Sequence, residues 1–395
     1  MAETGVRTPR WLLAVVVFLI VYGSLFPFRF EDAGIDNLAA LRAGLPWART
    51  TRSDIVANVL LYLPFGACLA WMLAPRLGAA LAFVAALACG ALLSTAIEVA
   101  QIYETRRVSS LADVTFNALG SAGGAALALA LRAAGRSLGR HPLEGVLTHP
   151  IAAALVVLWV FYRLVPFAPV LAPGEWLDAL APLWRSPWLQ PWTTLQWLLP
   201  WLVVGQALAA LSRTGSGIRA LALVMLGVGA GLVVLSGKSL LPAEVVAMAL
   251  ALALTWALGR LGEARAAGLL AFAVAALFVV EGLSPFNFQL GRDAMSWVPF
   301  SESLLRYRAT NLPAMFERCF TYGGLVWLLA RAGRSALGAT ALAGSLVLAV
   351  EVLQTWLPTR VADITDPLLV LAAGGLLALF EGRPGTRGAG RPAAR

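Results

Sequence analysis

Two stretches of this sequence carry the same polar residue types at the same spacing. The first reads Glu98-x2-Gln101-x5-Arg107-x5-Asp113-x3-Asn117 and the second Glu351-x2-Gln354-x5-Arg360-x5-Asp366, an offset of 253 (351 − 98) at every shared position. Two carboxylates with a guanidinium between them offer three kinds of chemistry. Arg107 can hold an anionic oxygen. Glu98 and Asp113 can act as general base and acid. Alternatively, the oxygens of Glu98, Asp113, Gln101 and Asn117 can ligate a hard cation such as Mg²⁺, although no cofactor is demanded by the sequence. Against all three stands a structural Glu–Arg–Asp network that pins one helix to the next and binds nothing. A further polar stretch, Arg52-Ser53-Asp54-x3-Asn58, opens an apolar run, and Asp54 there also suits a helix N-cap.

The elements that must position these residues are helices. Glu98 and Gln101 are i,i+3, while Asp113/Asn117 and Asp54/Asn58 are i,i+4, so each pair shares one helix face. The chain of 395 residues is 59% hydrophobic and only 13% charged, with a mean hydropathy of +0.78. So few charges cannot cover the surface of a soluble protein. Continuous apolar runs such as Leu12 to Leu25 and Leu81 to Leu93 exclude the alternation of a membrane β-barrel. The fold expected is all-α: a polytopic integral membrane protein of about 12 transmembrane helices. Their spans fall near 11–26, 55–75, 79–102, 111–132, 149–167, 193–212, 217–236, 241–259, 266–284, 312–330, 335–356 and 365–381. Glu98 and Glu351 then lie near span ends. A charge inside a span costs roughly 2.5–3.5 kcal/mol, and the adjacent arginine is the natural partner.

An internal repeat organises these spans. Pro27-Phe28, Pro166-Phe167 and Pro285-Phe286 each end a span, and Gly66, Gly205 and Gly324 each follow 39 residues after the proline (66 − 27). Each unit then closes with a basic residue six before an acid: Arg107/Asp113, Lys238/Glu244 and Arg360/Asp366. Three parallel four-helix units are expected, 1–140, 141–262 and 263–383, followed by a disordered cytoplasmic tail, 384–395. In the middle unit Gly229 and Leu232 replace the Glu/Gln pair, so that unit is expected to keep the fold without the pair's role.

The net charge of +9, from 30 basic and 21 acidic residues, contains no long basic run. It points to loops facing anionic lipid and away from nucleic acid. Cys68, Cys89 and Cys319 lie in apolar surroundings without a disulfide framework, and His141 and His149 share one polar linker. With the N-terminus cytoplasmic, the short opposite-side loops hold only Arg106, Arg107, Lys238 and Arg360. Both termini are therefore expected inside, which puts the polar constellations at the outer boundary. Trp176, Trp184, Trp188 and Trp192, broken by Pro182, Pro187 and Pro191, suit a segment lying in the head-group interface. They form an aromatic belt there or a grip on a lipid.

The run Asn58-Val-Leu-Leu-Tyr-Leu-Pro-Phe-Gly66, followed by Glu98-Val-Ala-Gln101, Arg107, Asp113, Asn117 and Gly120, resembles the VanZ-like family of bacterial membrane proteins. The resemblance covers residues 15–130 well and 275–380 more weakly, where Val370 and Ala373 stand in place of the Asn and Gly. It implies an integral protein of the bacterial cell envelope, in the cytoplasmic (inner) membrane, with a link to resistance to the glycopeptide teicoplanin; it implies no reaction. Three functions stay open. One is recognition or processing of a lipid-linked phosphate or glycan head group, with membrane lipids and an envelope precursor as partners. The others are a non-enzymatic scaffold or binding protein, and a transporter.

Overall fold

The computed structural model describes residues 10–25, 30, 46–47, 52–103, 109–137, 148–165, 167, 170, 172–212, 217–289, 295–300 and 312–381. Among them the chain is all-helical, with one isolated bridge between Ser296 and Asp363. It folds as two compact units.

The first unit contains α1 (Arg10–Leu25), α2 (Arg52–Leu77), α3 (Ala79–Gln101) and α4 (Leu111–Ser137). Gly78, at φ 79°, separates α2 from α3, a left-handed turn that glycine makes without steric cost. Ile20, Tyr62, Phe65 and Ile97 form one core cluster, and Ala70, Ala86 and Ala125 another. The closest packing joins α2 to α4. A Cβ on Gly66 would strike the Ser121 carbonyl, one on Gly120 the Val59 carbonyl, and one on Gly124 the Leu63 carbonyl. These small residues, Gly120-x3-Gly124 among them, let two backbones touch. In lipid, where apolar burial gives helices little reason to associate, such contact is a main source of helix pairing.

The second unit contains α5 (Pro150–Leu164), two short helices α6 (Pro173–Leu180) and α7 (Pro182–Arg185), α8 (Pro191–Leu211), α9 (Gly217–Val234), α10 (Pro242–Leu258), α11 (Glu263–Leu283), α12 (Leu312–Arg331), α13 (Ala336–Gln354) and α14 (Thr365–Glu381). Proline stands at the start of α5, α6, α8 and α10, where its missing N–H is not needed. One core runs through all the long helices of this unit, with Trp159, Trp201 and Trp327 fully buried in it. The Trp159 ring lies 5.4 Å from that of Trp201 and 5.0 Å from that of Phe320. The tryptophan-rich segment folds as α6 and α7, with Trp184, Trp188, Leu189 and Trp192 exposed, an aromatic edge of the kind that sits among head groups.

Among the described residues twelve long helices thus stand where the hydropathy placed spans. Among the described residues six segments are long and apolar enough to cross a membrane, the first of them, Asp54–Gln101, comprising most of α2 and all of α3. Shorter apolar helices include α5, α10 and most of α14. The architecture is that of a polytopic helical membrane protein.

Several hydrogen bonds recur at equivalent places. The Phe167 N–H donates to the Leu164 carbonyl and the Phe286 N–H to the Leu283 carbonyl, each at 2.8 Å, and both phenylalanines have positive φ (53° and 63°). Four residues after the respective prolines, Val170 N–H donates to the Val234 carbonyl and Gln289 N–H to the Trp356 carbonyl, both at 2.9 Å. Pro27 and Pro166 lie outside the described residues.

Candidate functional site

In the first unit the C-terminal end of α3 meets the N-terminal ends of α2 and α4. Glu98 is buried, and its Oε2 accepts the Ser110 backbone N–H at 2.8 Å, while the Ser109 hydroxyl donates to the Glu98 carbonyl at 2.8 Å. The acid therefore folds the incoming chain onto the end of α3. Ser110 in turn caps α4, its Oγ accepting the Ala112 N–H at 3.1 Å. Asn58 donates its side-chain amide to Asp113 Oδ1 at 2.8 Å, closing α2 onto α4. Gln101 reaches α1 and donates to the Ser24 carbonyl at 2.7 Å. Asp54 is half-buried in the first turn of α2. Arg107 lies outside the described residues.

A second polar layer lies one turn deeper. Asn117, four residues after Asp113, donates to the Ser94 hydroxyl at 2.9 Å, and Ser94 stands four before Glu98. Tyr62 stands four after Asn58, and Ser121 four after Asn117. Asn117 Oδ1 and the Ser121 hydroxyl are buried with no hydrogen-bond partner among the described residues, and the Tyr62 hydroxyl lies against the Ser94 side chain. Three helix faces thus present a polar track that runs inward from the acid-bearing end. Ser94 and Ser121 are not among the residues that the sequence spacing singles out, and Tyr62 stands there only within the Asn58–Gly66 run; the signal for all three is a further step of four from a residue already named.

The second unit repeats part of this arrangement. Glu351 is buried and its Oε2 accepts the Asp363 N–H at 2.6 Å, the counterpart of Glu98 with Ser110 twelve residues on (363 − 351). Asp363 accepts the Thr365 N–H at 2.8 Å, as Ser110 accepts that of Ala112. Gln354 donates to the Gly282 carbonyl at 3.0 Å; Gly282 and Ser24 both stand three before the landmark prolines, Pro285 and Pro27.

The remaining two members of the expected trio behave differently. The Arg360 guanidinium donates to the carbonyls of Glu281 (2.6 Å) and Ser284 (3.0 Å), so it caps the last turn of α11 instead of turning to Glu351. Asp366 lies against Glu351 but pairs with Arg318 at 3.0 Å and accepts the Tyr322 hydroxyl. Asp366 is already engaged by two donors from α12, and the free carbonyls at the end of α11 take the Arg360 donors.

The middle stretch holds a charged pair of its own. Arg163, third before Pro166, donates to both oxygens of Glu244 at 2.7 and 2.6 Å, and the Glu244 side chain is wholly buried. Its guanidinium also lies 4.1 Å from the centre of the Trp197 ring. With Gly229 and Leu232 in place of the Glu/Gln pair, the acid at the head of α10 takes its partner from α5. Arg163 falls inside the apolar span 149–167, and its signal in the sequence is its place three before a landmark proline, in the stretch that lacks the Glu/Gln pair. Lys238 stands six before Glu244, as Arg107 stands six before Asp113 in the sequence, and burial and then the Arg163 charge push its pKa below the usual lysine value.

Residues 11–132 match the family model described as VanZ/LLP1. No curated protein and no solved structure matches the chain. The match spans α1 to α4 and every member of the Asn58, Glu98, Gln101, Asp113 and Asn117 constellation. The N-terminal part of this chain, over those residues, is VanZ-like.

Proposed function

We propose that the protein is a VanZ-like membrane protein of the bacterial cell envelope that binds a polar head group of lipid-linked or glycan type at the outer membrane boundary, through the acid-bearing end of its first unit. Both termini face the cytoplasm in this reading, and the chain is built of three parallel four-helix units, a reading supported by the recurring Phe and Glu hydrogen bonds. The observation that carries the function is the polar track. A network that serves structure alone satisfies its own buried polar groups, whereas Asn117 Oδ1 and the Ser121 hydroxyl have no hydrogen-bond partner among the described residues. Binding is favoured over catalysis because Glu98 and Asp113 already accept hydrogen bonds from the fold. It is favoured over transport because the charged residues gather at helix ends.

Arg107 supplies the positive charge of this site. Expressed in a glycopeptide-susceptible strain, the wild-type protein should raise the teicoplanin concentration needed to stop growth. Arg107→Ala should abolish that rise while protein abundance stays nearly intact. Loss of abundance together with the phenotype would identify the network as structural, because a buried acid left unpaired costs roughly 3–5 kcal/mol. An unchanged phenotype would remove Arg107 from the site.

A further inference from the structure

The second unit encloses a cavity of about 510 Å³ among α5, α8, α11 and α12, a size that suits a small polar ligand. It lies at the end of the helices that carries Arg163, Glu244 and Asp366, and it borders the second constellation, whose Arg360 lines it, without Glu351 or Gln354 in its wall. Its charged lining is Glu281, Glu317, Arg318 and Arg360. The two arginines are engaged: Arg318 pairs with Asp366 at 3.0 Å, and Arg360 caps the carbonyls at the end of α11. Among the described residues the two carboxylates accept hydrogen bonds from neutral donors, and the Arg318 and Arg163 charges near Glu317 are each paired with another acid. Gln196 donates to Glu281 Oε1 at 2.7 Å, and the Tyr162 hydroxyl lies against Glu317. Each carboxylate has acceptor sites for several hydrogen bonds, so the unmet demand of the cavity is for a cation.

Two further features narrow the ligand. Trp159, Tyr162 and Trp197 form an aromatic wall, with the Tyr162 and Trp197 rings stacked at 6.5 Å and the Arg163 guanidinium already over both, so the wall offers a ligand flat apolar surface. Trp159 is 1% exposed, and its indole N–H has no hydrogen-bond partner among the described residues. That N–H asks for an acceptor on the ligand, as a buried donor without one is costly. We infer that the cavity binds an amine-bearing polar group that also carries an acceptor oxygen, its ammonium held between Glu281 and Glu317 and its oxygen facing Trp159. An amino sugar and an ethanolamine-type lipid head group share this chemistry.

Isothermal titration of the full chain in detergent tests it with two matched pairs of probes: glucosamine against glucose, and phosphorylethanolamine against inorganic phosphate. At least one amine should bind saturably and at least ten-fold more tightly than its amine-free counterpart, and the pair that does so identifies the source. Glu317 is exposed, so Glu317→Gln is expected to fold normally and to bring the amine down to the level of its counterpart; Glu281→Gln should do the same. Glu263→Gln, at the opposite end of α11, should bind as the wild type does. Absence of saturable amine binding, equal binding of the amine-free probes, or full binding by Glu317→Gln would overturn the inference.

Discussion

Arg163→Met should lower the stability of the detergent-solubilised protein by about 3–5 kcal/mol, because it strands a wholly buried Glu244 without its partner. The double variant Arg163→Met/Glu244→Met should recover most of that loss, since two apolar side chains of similar volume need no desolvation and the surrounding helices are apolar already. This rescue is the informative part. A single variant that melts close to the wild type would show that the pair does not hold α5 to α10. A double variant no better than the single would assign the loss to packing against Trp197, over whose ring the guanidinium lies.

The second large effect falls on glycine. Gly124→Ala should destabilise the first unit by at least about 1–3 kcal/mol, the range for overpacking. The atom it meets is the Leu63 backbone carbonyl, and a backbone cannot step aside as a side chain can. The neighbouring Gly123→Ala meets nothing within 4 Å and should be neutral or gain up to about 1 kcal/mol from helix propensity. Thermal unfolding of the two variants in parallel checks this. Equal behaviour would refute the close α2–α4 approach.

The positions of the long helices were legible because a membrane span is specified by its own composition. Apolar length alone marks it, and Gly78 punctuates α2 from α3 where the hydropathy barely dips. Neighbour relations were not legible. Helix periodicity says which face is apolar but not which helix covers it, so the single core shared by α5 and α8 to α14 could not be foreseen from three equal repeats. The i,i+3 and i,i+4 spacings are fixed by the helix itself, and the helices bury Gln101 and Asn117 and bring Asn58 to Asp113. Arg360 shows where spacing fails. A residue in a connecting turn takes the best acceptor within reach of a long side chain, and the carbonyls ending α11 were invisible in the sequence. The cavity was hidden for the same reason, since its walls come from four helices spread over some two hundred residues, from Trp159 to Arg360.

The central claim, that the acid-bearing end of the VanZ-like unit holds a polar-headed lipid, is tested most directly by native mass spectrometry of the purified chain released from detergent. The wild type should retain a lipid-linked phosphate or glycan adduct. Arg107→Ala, and separately Asn117→Ala in the inner track, should lose that adduct while the folded protein is recovered at wild-type yield. Retention of the same adduct by both variants, or a wild-type protein that carries none when such lipid is supplied, would contradict the account.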